Sequence, residues 1–201
     1  MTVRALYTSL FILLIGTASA NPALAYKKLG LAWKDGKPQG FTVCLKGAPP
    51  GALDRIKEAA QKWNYSKFKF TFEAEKCLDY ASSGGADGTS YIEFTTITGP
   101  GTKPDDAGDA TPRNPDAAPH LKECDIRFNI NKKWYTKATG TPAEGENDLL
   151  SVAMHEFGHC LGLQHSEISG TVMRDHLLLS KTQRTLTQDD IDGRNDIYGK
   201  P

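Results

Sequence analysis

Eleven consecutive residues, His155-Glu156-Phe157-Gly158-His159-Cys160-Leu161-Gly162-Leu163-Gln164-His165, carry three imidazoles and one carboxylate at spacings suited to a divalent cation. On an α-helix each residue advances about 100°, so His155 and His159, four apart, leave the same face and can reach one ion. Glu156 stands beside them without joining them. A helix cannot return a third ligand to that ion, so the chain must stop and turn, and Gly162 can take the left-handed conformation that ends it. His165 then arrives from the far side. Three neutral imidazoles leave the fourth position of a tetrahedral zinc to water, the open arrangement of a catalytic site and not the closed one of a structural site. Such an ion lowers the water's pKa to about 7 and polarises a carbonyl. Glu156 would take the water's proton and later return it to a leaving amine. The short form HExxH also occurs by chance on ordinary helices, and specificity comes from His165 and from Met173, eight residues beyond it.

The elements that must hold this motif read as an α/β (α+β) unit. Phe41-Thr42-Val43-Cys44-Leu45 is a short apolar strand, and Pro49-Pro50-Gly51 separates it from a helix in which Leu53, Ile56, Ala60 and Trp63 share a face. That stripe is packing surface. Phe68, Phe70 and Phe72 alternate with Lys69, Thr71 and Glu73, which predicts a strand with one buried face; Tyr91–Phe94 and Asp125–Ile130 read likewise. A mixed sheet with helices against one face follows. Residues 98 to 119 hold five of the eleven prolines, several glycines and Asp105, Asp106, Asp109 and Asp116, and read as a loop. Its carboxylates could take calcium, a cation that prefers oxygen ligands, although they lack a recognised calcium-loop spacing. His120 and His176 read as surface or partly buried histidines, His176 close enough to Met173 to line a cleft. Tyr198 and Trp134 read as core. Asn64-Tyr65-Ser66 is an acceptor pattern for glycosylation, which matters only in a host that glycosylates exported chains.

The first 25 residues have the layout of a signal peptide: a basic start at Arg4, an apolar run from Leu10 to Gly16, and small residues at Ala18 and Ala20 or Ala23 and Ala25. The run is too short to span a bilayer. No cysteine near it offers a lipid anchor, and no later segment is apolar enough to cross a membrane. Residues 26–201 then form one domain, large enough to bury its own core. Removing residues 1–25 takes Arg4 and no acid, leaving 23 basic side chains against 24 acidic ones. That balance favours neither nucleic acid nor an anionic membrane as partner. The expected product is a secreted or periplasmic monomer.

In an oxidising compartment the even count of four cysteines fits two disulfides. Three pairings are open. Cys44 with Cys77 is favoured because they flank one strand-helix-strand unit and can lie on neighbouring parallel strands. Cys124 is then left with Cys160, tying a sheet strand to the metal-binding helix. Cys160 as a further zinc ligand is disfavoured, since one residue past His159 it points about 100° away.

The motif HExxHxxGxxH, with Gly170-Thr171-Val172-Met173 after it, resembles the metzincins and their methionine turn; Ser166, directly after the third histidine, narrows the resemblance to matrixins. The likeness runs back through Asn147–Met154, similar to the front of the matrixin active-site helix. It runs forward through Leu186–Gly193 and Ile197-Tyr198-Gly199, similar to the C-terminal helix. The close resemblance covers roughly residues 145 to 199, and the earlier half agrees in the order of its elements. It implies a twisted mixed sheet of five-stranded type, an active-site helix, a C-terminal helix, and a small irregular lower subdomain beginning near Gly162. It also implies that Met173 forms an apolar floor under the ligands, that Asp189 and Asp190 brace the methionine turn and a neighbouring segment, and that an extended peptide pairs with the sheet's edge strand. The chain departs from the pattern in three ways. Arg174-Asp175 stands where matrixins have an aromatic residue and a proline. Only His120 lies between residues 95 and 145, so no second zinc is expected. Cys44 lacks the flanking motif of the matrixin latency switch and reads as structural.

Two functions are consistent with these residues. One is a secreted zinc endopeptidase that cuts exposed polypeptide. The alternative is a metzincin-like binding module in which zinc is structural and a peptide is held uncut; loss of Glu156 would have signalled it. An exopeptidase would need a group that holds a chain terminus, and no motif provides one.

Overall fold

The computed structural model describes residues 25–38, 40–77, 86–99, 101–103, 105–114, 120–176 and 179–201. The expected signal peptide therefore falls, but for Ala25, outside the described residues, as does Asp116.

Five strands form the main sheet: β1 (Phe41–Val43), β2 (Phe72–Glu75), β3 (Tyr91–Thr95), β4 (Gly108–Arg113) and β5 (Glu123–Asn129). Their order is β2-β1-β3-β5-β4, parallel except for β4, which runs antiparallel to β5 at the edge. Two helices, α1 (Ala52–Trp63) and α2 (Leu149–Leu161), pack on each other and on the sheet, and α3 (Gln188–Tyr198) closes the chain. Helix α1 buries Ile56, Ala59, Ala60 and Trp63, spaced as one helical stripe, against α2. The Trp63 indole donates to the Met154 carbonyl (2.8 Å), which locks the two helices in register. Strand β5 is buried on both faces: Cys124, Ile126 and Phe128 enter the apolar core, while Glu123, Asp125, Arg127 and Asn129 form a polar buried layer on the other side.

Two expectations change. The aromatic alternation at Phe68, Phe70 and Phe72 marks burial, not a ladder. Only Phe72 begins a strand; Phe68 closes a turn with Tyr65, and Phe70 is held by Asn64, whose side-chain oxygen accepts its N–H (2.7 Å). Phe68 and Phe70 reach the core from that turn and stack near Tyr198 and Phe157. The loop expected over 98–119 contains β4. Its residues, Gly-Asp-Ala-Thr-Pro-Arg, are poor strand formers, but an edge strand tolerates proline, and pairing with the wholly buried β5 overrides local preference.

The predicted disulfides are both formed. Cys44 joins Cys77 just beyond the paired ends of β1 and β2, and Cys124 on β5 joins Cys160 on α2. Loops of 33 and 36 residues contribute about 3–4 kcal/mol each in the chain-entropy account. No helix among the described residues is long and apolar enough to cross a membrane.

Candidate metal centre and active site

Helix α2 starts with Asp148, whose carboxylate caps the Ser151 N–H (3.0 Å) and is gripped by Arg184. It ends where Gly162 adopts a left-handed φ of 115°. A side chain there would be strained, and its Cβ would lie 2.6 Å from the Leu31 carbonyl oxygen. The chain then forms a two-residue antiparallel pair, Leu163–Gln164 with Lys27–Lys28, and delivers His165 back towards α2.

The three imidazoles meet through their Nε2 atoms. His155 and His159 are 3.1 Å apart there, and each is 3.2 Å from His165. The contact between the two helix histidines is not a hydrogen bond, because the Nδ1 of each is already committed. His155 Nδ1 donates to the Val172 carbonyl (2.8 Å) and His159 Nδ1 to the Leu163 carbonyl (2.9 Å), which fixes those tautomers. His165 Nδ1 faces the Asp175 carboxylate at 3.1 Å. Three Nε2 atoms therefore point into one small space, those of His155 and His159 with their lone pairs free, an arrangement suited to a cation. Zinc bound tetrahedrally would set its nitrogen ligands about 3.3 Å apart, close to what is found. Burial, then the neighbouring imidazoles, lower the His155 pKa to about 3; burial lowers that of His159 to about 4. Neither needs to shed a proton to bind metal at neutral pH. Among the described residues no other group of three or more His, Cys, Asp or Glu side chains is arranged to hold an ion.

Glu156 is buried and lines the same cleft, of about 590 Å³, between α2, the edge strand β4 and the segment after Gly162. Burial first, then Asp109 and Asp106, raise its carboxyl well above the usual carboxylate range. Met173 packs beneath the histidine-bearing turn: a Cβ on Gly158 would lie 2.1 Å from its sulfur, so that helix position has room for glycine alone. Asp190 accepts the N–H groups of Val172 (3.1 Å) and Met173 (3.2 Å), holding the turn that in turn holds His155. Asp189 accepts from the Ser166 hydroxyl (2.7 Å) and from the Tyr26 N–H (3.1 Å).

The acidic loop is arranged differently. Asp109 is clasped by both Nε and Nη2 of Arg127, Asp105 lies 3.2 Å from Lys132, and Asp106 accepts the Lys103 N–H (2.7 Å). His176 lines the cleft, as its place after Met173 suggested, and His120 sits in a short strand pair with Ala32–Trp33 away from it. Sequence reasoning missed Asp175 and the arginine partners of the acids. The only available signal was Arg174-Asp175 itself, a charged pair where the resembled pattern has none.

The Matrixin family profile matches residues 53–199. The chain belongs to the matrixin family. It is 37% identical over 78 residues to Matrix metalloproteinase-16 of Homo sapiens, 38% of this chain and 12% of that protein. It is 40% identical over 76 residues to Neutrophil collagenase of Homo sapiens, 37% of this chain and 15% of that protein. With Stromelysin-3 of Xenopus laevis it shares 40% identity over 81 residues, 40% of this chain and 16% of that protein. The matched segment thus spans less than a fifth of each relative's length. A matrixin domain accounts for the mixed sheet, the helix that carries His155 and His159, and the helix after the methionine turn.

Proposed function

We propose that this chain is a secreted zinc endopeptidase, with residues 1–25 as export signal and residues 26–201 as a monomeric catalytic domain. The observation that carries the reading is the triangle of Nε2 atoms, with the Nδ1 atoms of His155 and His159 anchored on backbone carbonyls, beside a buried carboxyl that is not part of it. His155, His159 and His165 would hold the ion, and Met173 would floor the site. A zinc ion there supplies Lewis acidity towards a substrate carbonyl and acidifies water. Glu156 takes the proton from the attacking water and returns it to the leaving amine. Burial first, then Asp109 and Asp106, raise its affinity for a proton, which suits a group that must take one from water. Strand β4 is the sheet edge that lines the cleft, so an extended substrate can add to it as a further strand beside Glu156. The two disulfides agree with an oxidising, extracytoplasmic location. Calcium in the 98–119 loop has less support, because Asp105 and Asp109 there are paired with the chain's own Lys132 and Arg127.

The test is cleavage of unfolded casein by the purified protein and by Glu156→Ala, with zinc content measured in both. The reading expects one zinc in each and cleavage by the parent alone. Equal cleavage by the variant would refute the role given to Glu156.

A further inference from the structure

The three proposed ligands are not held alike. His155 and His159 stand on α2, and each donates from Nδ1 to a backbone carbonyl that no side-chain change removes. His155 is 7% exposed. The His165 side chain is 44% exposed, comes from an irregular segment, and makes no backbone contact of this kind among the described residues; a carboxylate oxygen of Asp175 lies 3.1 Å from its Nδ1, at ion-pair distance. The other Asp175 oxygen lies 3.4 Å from His176 Nε2, so the carboxylate is placed between two imidazoles. All three groups line the cleft that contains Glu156. A proline at position 175, as in the resembled pattern, could not make this contact.

Resting on the zinc-peptidase reading above, we propose that Asp175 is a positioning residue for the third ligand, accepting the His165 Nδ1–H so that Nε2 keeps its lone pair turned towards the ion. A carboxylate in this place does two things. It selects the Nδ1–H tautomer and the ring orientation, work that carbonyls do for the other two histidines. It also draws the Nδ1 proton, which makes Nε2 a stronger donor to the metal. Partners of this kind are worth about 10- to 100-fold in metal affinity. Asp175 is 57% exposed and its charge is screened, so the lower end, about tenfold, is expected.

The experiment uses the full chain in three forms, the parent, Asp175→Asn and Asp175→Ala. Zinc dissociation constants are measured by competition with a chelating dye, and the visible absorption of the cobalt-substituted proteins reports the ligand field. Thermal melting of the metal-free forms is run alongside, and equal midpoints are expected because Asp175 is an exposed turn residue. Asparagine keeps an oxygen that can accept from Nδ1 and loses the charge; alanine loses both. The expected order of affinity is parent, then asparagine within a fewfold, then alanine about tenfold weaker, with a shifted cobalt spectrum for alanine. Equal constants for all three would overturn the proposal. Asparagine as weak as alanine would overturn the positioning role and leave only a charge effect. A parent that binds no zinc would refute the metal site itself, a failure distinct from equal binding by all three forms.

Discussion

The histidine triad and the acidic layer under β4 are both buried or half-buried clusters of polar groups, yet they are balanced in opposite ways. In the layer, each carboxylate faces a cation that the chain supplies: Arg127 clasps Asp109, and Arg113 lies 3.1 Å from Glu123 and 3.4 Å from Asp125. In the triad, three imidazole nitrogens face one another with no lysine or arginine of the described residues among them. The first cluster is complete as a protein; the second, on the proposed reading, is completed by an ion. The difference separates structural electrostatics from a site, and it can be read from which atoms point at which.

The largest expected effect is at the triad. His159→Ala should abolish both stoichiometric zinc and cleavage, measured by metal analysis and casein hydrolysis; one zinc retained in the variant would mean a different ligand set. Glu156→Ala should lower turnover by about 100-fold or more while zinc affinity changes little, since only the proton carrier is lost. In the acidic layer the pattern should invert. Arg127→Met strands a mostly buried Asp109, and urea unfolding should report a loss of about 2–3 kcal/mol with zinc affinity unaltered. A smaller effect concerns Asp125, whose carboxyl is pushed up to about 7, chiefly by burial and against the pull of Arg113. A raised folded-state pKa means that the folded protein holds this proton more tightly than the unfolded chain. The stability it contributes is full below about pH 4 and is lost as pH rises towards 7. Asp125→Asn removes that titration, so the melting point of the parent should fall relative to the variant by a few degrees between pH 4 and pH 7.5. A gap that does not change with pH would contradict the shift.

The convergence of the three histidines was legible in the sequence because its parts are local. Histidines four apart, a glycine able to stop a helix and a third histidine three residues later specify a geometry within a dozen residues. The disulfide partners were legible because strand-helix-strand connectivity places Cys44 near Cys77. What escaped depends on register across the sheet. Asp109 meets Arg127 only because β4 and β5 pair with those two residues opposite each other, and nothing in Gly108–Arg113 announces a strand. Phe68 and Phe70 misled for a related reason: alternation reports which side chains are buried, while the turn at Tyr65 decides how. Asp175 was visible as a residue out of pattern, but its contact with His165 needs the path of the intervening turn.

The central claim, that one cluster needs an outside cation and the other does not, is tested most directly by stripping metal with a chelator. Casein cleavage and the near-ultraviolet circular dichroism of the core tryptophans are then followed as zinc is returned. The account predicts a retained dichroism signal, cleavage lost on stripping, and cleavage restored at one equivalent of zinc. Cleavage that survives complete removal of the metal would contradict it.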